Sequence, residues 1–432
     1  MEEKHLNYIL NHFASVYDLP EGLLEELQKQ KSKVNWLKSE FDFFGEKINV
    51  PPFEKVNFLQ TDIPLLFVKE NFTEIFSETQ KGVQLNFDFA SACFYFLSGY
   101  QDLHGLKKSN RFRARDAFQY RLQAHRQPLV NYYFEMLKQA IEKAYKIEIA
   151  TRSKGPLLFL SHDIDNMSRG WLECGYAELK SFRVLNALQI VVKRLFGKDE
   201  WDNLEEIMHL EEVMGVHSTF FLLARKGKEN ADYDITKNKY NKWIALLQGR
   251  SFEVGIHGSI GTHRSATALG ADLKRLKNRV FGNRFHFLHF RPQTSYRALE
   301  KNKIMYDSSL GFYDEVGFRN AYCYPFRLWH FQEDRQVDFL ELPLMVMDTS
   351  LEKQKYLFRK KGESTGIIYD ILREVKRFNG MGSILWHNNY FSDYKYGGWR
   401  EVYLEAIKNA KGMEYKSKTG YLITEEFLKR GL

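Results

Sequence analysis

No window of this 432-residue sequence approaches the roughly 18 uncharged apolar residues that a membrane helix needs, so no spanning segment is expected. The start, Met1-Glu2-Glu3-Lys4-His5, is charged and runs into Leu6-Asn7-Tyr8-Ile9-Leu10 without a long apolar region. That is no secretory signal, and a cytoplasmic protein is expected. Cysteine is scarce: Cys93, Cys174 and Cys323 lie far apart with no C-x-x-C spacing, which argues for reduced thiols rather than a disulfide framework. No internal repeat or low-complexity segment stands out. Lys and Arg outnumber Asp and Glu by 63 to 55, yet the excess is never gathered into a long basic block. It suits an anionic ligand or surface and gives no reason to expect a nucleic-acid partner. Nothing in the sequence sets an oligomeric state.

What is present is enough apolar material for a substantial core, 44% hydrophobic and 15% aromatic residues. The length allows two or three domains, or one large barrel with an added domain. Residues 1–150 read as helices and strands without a catalytic cluster. Glu21 to Lys33 is helix-prone, Ile48-Asn49-Val50-Pro51-Pro52 marks a break, and Asp88 to Tyr100 suits a buried helix. Arg111 to Arg115, continuing to Arg121 and Arg126, is basic with interleaved aromatics. It reads as a solvated helix face before it reads as an RNA or phosphate surface. Pro128 to Ala144 reads as a helix carrying Leu129, Tyr132, Tyr133, Phe134, Leu137 and Ile141.

Lys154-Gly155-Pro156 punctuates the chain, so a boundary is placed near residue 150, giving an α+β domain over 1–150 and an α/β domain over 151–432. Beyond it, strand-like runs at Val216 to Leu223, Phe252 to Ile256, Phe285 to Phe290, Phe339 to Leu344 and Gly382 to Trp386 alternate with helical stretches at Asn203 to Val213 and Ala268 to Val280. Such alternation argues for a parallel sheet or barrel.

The most informative stretch is Leu157-Leu158-Phe159-Leu160-Ser161-His162-Asp163-Ile164-Asp165-Asn166. A buried strand ends there in two carboxylates one residue apart, and strand alternation aims Asp163 and Asp165 the same way while His162 points to the other face. Two further strand ends deliver His257, followed at a distance by His263, and His387. Carboxylate and imidazole at the carboxyl edge of a parallel sheet are the donors a metal-dependent hydrolase needs, and a bound divalent ion lowers the pKa of water to about 7. A solvated D-x-D turn and capped strand-end histidines are the plainer alternatives.

These residues resemble the polysaccharide deacetylases with the NodB-homology domain. Ser161-His162-Asp163-Ile164-Asp165 is similar to the family's first motif in its D-x-D form, which implies Asp163 as general base and Asp165 as metal ligand. His257 matches the first histidine of the family's H-[ST]-x-x-H motif, but Gly261 stands where the second belongs. Either His263 substitutes from another loop, or water completes the shell, or the site is weakened. The stretch Asn283-Arg284-Phe285-His286-Phe287-Leu288-His289-Phe290-Arg291-Pro292 occupies the place of the motif whose arginine orients the aspartate. Arg284 and Arg291 both qualify, Arg284 being preferred. Tyr306 to Phe312 and Cys323-Tyr324-Pro325-Phe326-Arg327 resemble substrate-side loops of the branch whose first motif reads H-D-x-D, Glu341-Leu342-Pro343-Leu344 its fourth region, and Trp386-His387-Asn388 the last motif, whose histidine acts as general acid. The likeness spans about residues 155 to 410, and the first 150 residues also resemble the companion domain of that branch.

The resemblance implies an irregular (β/α)7-type barrel and a metal-dependent carbohydrate deacetylase. The metal, zinc foremost, would sit on Asp165, His257 and His263. Asp163, Arg284 and His387 would be catalytic, and Arg291, Tyr324, Pro325, Trp386 and Asn388 would border the substrate. The expected substrate is an acetylated sugar in a glycan or glycan precursor, nucleotide-linked or lipid-linked. Two rivals remain: a carbohydrate-binding protein on a decayed deacetylase barrel, for which Gly261 speaks, and a D-x-D glycosyltransferase, which leaves the downstream histidines idle.

Overall fold

In the computed structural model the described residues are 1–45, 50–105, 111–354 and 361–432, so Ile48 and Asn49 of the Ile48 to Pro52 break lie outside them. The N-terminal part mixes helices with small sheets. Val34–Trp36 pairs in parallel with Gly82–Leu85, which pairs antiparallel with Phe76–Thr79, while Phe53–Phe58 and Thr61–Leu66 form a hairpin. Its longest helix, Leu129–Tyr145, follows from the spacing of Leu129, Tyr132, Tyr133, Met136, Leu137, Ala140 and Ile141, all buried on one continuous face. Lys146 ends it in the left-handed conformation at φ 57°. Asp88 caps the helix Phe89–Leu97 by accepting from the Ser91 backbone N–H.

Beyond residue 156 the chain builds one parallel sheet. Its strands run in the order Leu340–Glu341, Tyr306–Asp307, Gly282–Phe285, Glu253–Gly258, Thr219–Leu223, Leu157–Ile164, Met381–Leu385, Val346–Met347, with Lys416–Ser417 added beside the start of Leu157–Ile164. The central strands are buried throughout, as strands covered on both faces must be. The two edge strands are neighbours in sequence. From Glu341 to Val346 the chain spans at most about 18 Å, whereas eight strands laid flat would be about 34 Å wide. The sheet is therefore curled into an irregular (β/α) barrel. It has eight strands on its path, because two-residue strands at Tyr306–Asp307, Leu340–Glu341 and Val346–Met347 take part.

The run Phe285 to Phe290 departs from its expected form. The strand is Gly282–Phe285, and the chain then turns tightly through His286–Leu288, with Phe287 and Leu288 at positive φ (59° and 53°). Two consecutive bulky side chains in the left-handed region are strained, and such strain gathers at sites that need a particular side-chain aim.

Both halves of the chain share one hydrophobic core. Phe94 meets Trp329 edge to face at 5.9 Å between ring centres, Tyr132 meets Phe378 at 4.9 Å, and the Tyr8 hydroxyl donates to the Arg327 carbonyl at 2.6 Å. Between the halves lies a buried ion pair, Arg319 Nε donating to Asp102 Oδ1 at 2.9 Å with both residues almost fully enclosed. Removing one partner of such a pair strands a charge away from water. Asp102→Ala is expected to destabilise the whole chain by about 3–5 kcal/mol, read as a lower midpoint in a single denaturant transition. A change below about 1 kcal/mol would show the pair to be solvated and unimportant.

Candidate active site

Strand alternation holds through the first strand and one residue beyond it. His162 lies on the outer face, its Nδ1 2.7 Å from the Trp386 carbonyl and its Nε2 2.8 Å from Glu211 Oε1. Asp163 and Asp165 face inward and line a cavity of about 410 Å³ at the carboxyl ends of the strands, together with His257, His286 and His387.

Arg284 fixes Asp163. The guanidinium is fully buried and uses four of its five N–H donors: Nη1 to Asp163 Oδ1 at 2.9 Å and to Ser161 Oγ at 3.0 Å, Nε to the Ser308 carbonyl at 2.8 Å, and Nη2 to Ser308 Oγ at 2.9 Å. Its planar group lies 4.5 Å from the centre of the Phe221 ring. Burial alone would raise the Asp163 carboxyl, but the charges of His257 and Arg284 outweigh it and hold the group below its ordinary value.

Asp165, His257 and His286 form the one three-residue group among the described residues whose donor atoms could close on a metal ion. His257 Nδ1 donates to the Arg284 carbonyl at 2.8 Å, which turns Nε2 towards the cavity. That Nε2 lies 3.0 Å from His286 Nδ1 and 3.4 Å from Asp165 Oδ1, and His286 Nδ1 lies 3.5 Å from Asp165 Oδ1. Tetrahedral donors about 2.1 Å from an ion stand about 3.4 Å apart. Asp165 Oδ1 is buried and accepts no hydrogen bond, the condition of an oxygen kept for an ion. Burial would lower His257, yet Asp163 and Asp165 raise its imidazole above the ordinary value. Positive charge is stabilised at this point. Burial wins at His286, whose pKa is lowered to about 4, keeping the neutral ring that a ligand requires.

His387 stands at the end of Met381–Leu385 with Nδ1 2.8 Å from Asp348 Oδ1 and Nε2 3.9 Å from Asp165 Oδ2. Burial opposes its charged form, but Asp348 prevails and pushes the imidazole up to about 10. A histidinium backed by a carboxylate is a proton donor aimed into the cavity.

Several expected residues lie elsewhere. His263 is not part of the three-donor group: its Nε2 accepts from Arg264 Nε at 3.2 Å and its ring neighbours His289, 5.2 Å between centres. The loop after Gly261 closes into a short turn at Thr262–Arg264 instead of folding back, and His286 supplies the imidazole where His263 was expected. Of the expected substrate-side residues, none lines the cavity. Tyr324 is buried with its hydroxyl on the Phe378 carbonyl, and Pro325 beside it is buried. Trp386 packs against Tyr403, its ring centre 5.5 Å away. Asn388 Nδ2 donates to the carbonyls of Asn166 and Trp201, and the Arg291 backbone N–H donates to Ser295 Oγ at 2.9 Å.

The cavity wall is instead completed by residues that the sequence does not assign to the site: Arg111, Phe287, Tyr313, Glu352, Tyr390 and Tyr396 among them. Arg111 Nε donates to the Phe287 carbonyl at 2.8 Å, and its guanidinium lies 4.5 Å from the Tyr313 ring centre. The basic segment of the N-terminal part thus borders the site. Its interleaving of arginine with aromatics was the only hint.

Residues 2–146 match the model of a family described as a family of unknown function (DUF7033). No curated protein matches the chain. Solved structures similar to it include a Mycobacterium smegmatis protein assigned by name to the polysaccharide deacetylases, 14% identical, with 65% of this chain and 93% of that one covered at a TM-score of 0.42. Another is the peptidoglycan deacetylase PdaC from Bacillus subtilis, 11% identical, with 64% and 94% covered at a TM-score of 0.31. A third is a CE4-family pseudoenzyme from Bacillus anthracis, 11% identical, with 64% and 67% covered at a TM-score of 0.34. At these similarities the chemistry must be read from the site itself.

The two histidines make opposite predictions. His286→Ala is expected to weaken zinc binding by more than the roughly 10–100-fold that loss of an outer partner costs, while His263→Ala leaves it unchanged, both read by competition with a chromophoric chelator. Equal affinity in wild type and His286→Ala would remove His286 from the donor set.

Proposed function

We propose that the chain is a metal-dependent hydrolase that removes an N-acetyl or related acyl group from a sugar in a glycan or glycan precursor. The observation that carries this reading is the convergence in one cavity of a carboxylate fixed by a buried guanidinium, a three-donor group sized for a divalent cation, and an imidazole backed by a second carboxylate. Amide hydrolysis needs a base for water, an electrophile for the carbonyl and an acid for the amine. Asp165, His257 and His286 would hold the cation, with zinc the first choice for two imidazoles and a carboxylate. When bound, a divalent cation polarises a carbonyl and acidifies water near neutral pH.

The protein's own groups supply the rest. Arg284 occupies Asp163 Oδ1, so Oδ2, 3.6 Å from His257 Nε2, is the oxygen that takes the proton from the attacking water. The hydrogen bond also prevents the carboxylate from rotating away from that task. His387 keeps its proton through Asp348 and delivers it to the departing amine, without which the tetrahedral adduct would collapse back to substrate. Arg111 at the cavity wall suits a substrate that carries negative charge, such as a phosphate-linked sugar precursor. Tyr313 and Tyr396, both half-buried, give apolar ring surface of the kind on which sugar rings stack.

Acetate release from N-acetylated sugars and their phosphate-linked derivatives, without any sugar donor, tests the reading. Asp163→Asn is expected to keep its metal and lose turnover by about 10²–10⁴-fold. Asp165→Asn is expected to lose metal first and to recover partly when metal is supplied in excess. If metal restores Asp163→Asn and not Asp165→Asn, the two roles are reversed. A metal-loaded wild type that releases no acyl group from any of these compounds would leave the decayed-barrel reading in possession.

A further inference from the structure

Between the first barrel strand and the second, the chain makes a helical hairpin, Gly170–Lys180 followed by Val184–Leu195, whose composition is opposite to that of a solvated surface. On its first helix Leu172, Tyr176 and Leu179 recur at helical spacing and are exposed. On its second, Val184, Leu188, Val191 and Leu195 make a second exposed stripe at the same spacing. Leu185, Val192 and Phe196 widen this stripe to an arc of about 140° at 100° per residue. Only Ala187 and Ile190 of that helix turn inward. Phe182 at the tip between the helices is 91% exposed, and Leu195 is 80% exposed. A continuous apolar face of this kind marks a docking surface.

Charge decides what docks there. From Leu179 to Lys198 the chain carries five basic residues and no acidic one. Acidic residues around the hairpin's root engage three of these five: Glu178 holds Arg183, Glu200 holds Lys193, and Asp199 lies 4.0 Å from Arg194 while accepting from the backbone of Trp171 and Trp201; Glu173 on the first helix holds Lys395. Lys180 and Lys198 flank the apolar stripes and face water. A second copy would bring like charges together. An anionic bilayer accepts both features, apolar side chains entering the acyl boundary and lysines meeting headgroup phosphates.

The hairpin's inner face leads to the cavity. Cys174 and Ile190 pack with Trp201 against Trp171, Tyr394 and Tyr396, and Tyr396 stacks on Tyr390 at 4.2 Å, both rings lining the cavity wall. We infer that the hairpin of residues 170–196 docks on the surface of an anionic lipid bilayer and sets the mouth of the cavity beside that surface. A sugar carried on a lipid is the substrate class such a placement serves. That consequence rests on the hydrolase reading, whereas the docking does not.

Co-flotation of the full chain with vesicles tests the docking without turnover, so its failure and the failure of the hydrolase reading are separate results. Partition into phosphatidylglycerol–phosphatidylcholine vesicles is expected to exceed that into pure phosphatidylcholine by on the order of tenfold or more at low salt and to fall as salt rises. The triple variant Phe182→Ser, Leu185→Ser, Leu195→Ser alters only exposed positions and is expected to lose binding with its thermal transition unchanged. The double variant Lys180→Glu, Lys198→Glu, which leaves the apolar stripes intact, is expected to lose the preference for anionic lipid and serves if the triple variant fails to fold. A wild type that does not float, or two variants that both float as the wild type does, overturns the inference. So does a wild-type dimer that the triple variant converts to monomer without any vesicle binding, since a second copy would then cover the face.

Discussion

A single buried cation organises the reactive end of this barrel. Removing a guanidinium from water is costly, and the cost is met only when nearly every donor finds a partner and the charge finds a carboxylate. Arg284 meets that condition with Asp163, Ser161 and Ser308, and lies against Phe221. Those partners sit on or directly after the strands Leu157–Ile164, Tyr306–Asp307 and Thr219–Leu223, so one side chain from Gly282–Phe285 ties four strand ends into fixed register. The same arginine's carbonyl takes the proton on His257 Nδ1 and thereby decides which ring nitrogen faces the cavity. The orientations of the Asp163 carboxylate and of the His257 ring therefore depend on one residue. Neither could shift without unpairing a buried charge.

The charge pattern around that arginine is divided rather than shared. Asp163 is committed to Arg284 through one oxygen, whereas Asp165, two residues on and past the end of the strand, keeps a buried oxygen with no hydrogen bond. Adjacent carboxylates would ordinarily force a proton onto one of them. Here both are held low, Asp163 by His257 and Arg284 and Asp165 chiefly by His286 and His257, each against the cost of burial. Neighbours alone thus give the two carboxylates different settings, one bound to a guanidinium and one with an unengaged buried oxygen. His387, at the end of the neighbouring strand, is kept charged by Asp348, so a histidinium and the Asp163 carboxylate face one cavity.

What the sequence disclosed follows from which features are local. The apolar strand ending in Asp163 and Asp165 carries its two-residue period on its face, and both carboxylates reach the cavity as that period requires. Of the two arginines weighed, Arg284 is seen to donate to Asp163. His263 was a different matter. Its choice rests on proximity in sequence to His257, and a three-residue turn decides where it goes. His286 was hidden because Phe285 to Phe290 reads as an apolar strand, in which alternate residues would be aimed apart. The strand in fact ends at Phe285, and the left-handed Phe287 and Leu288 form a turn that no composition announces. Tyr324, Trp386 and Asn388, expected beside the substrate, are buried instead of lining the cavity, for a related reason: motif neighbours of a reactive residue are as often the packing that holds it.

Arg111 shows why the first half of the chain resisted a functional reading. Its local context is a basic, aromatic-rich segment, and only the fold brings it onto Phe287 and Tyr313, the first of these within the strained turn that also carries His286. A cation–π and hydrogen-bonded contact across 176 residues of sequence has no periodicity to detect. Its physical effect is nonetheless direct. The arginine clamps the backbone at Phe287, next to His286, so through this contact the N-terminal part does more than cover the barrel: it braces the turn that aims an imidazole into the cavity. A barrel without that brace would have to hold two left-handed bulky residues with its own contacts alone, and left-handed bulky residues persist only where surrounding structure over-determines them. The dependence of the His286 turn on Arg111 is therefore mechanical, and it gives the two parts of the chain a reason to share one core.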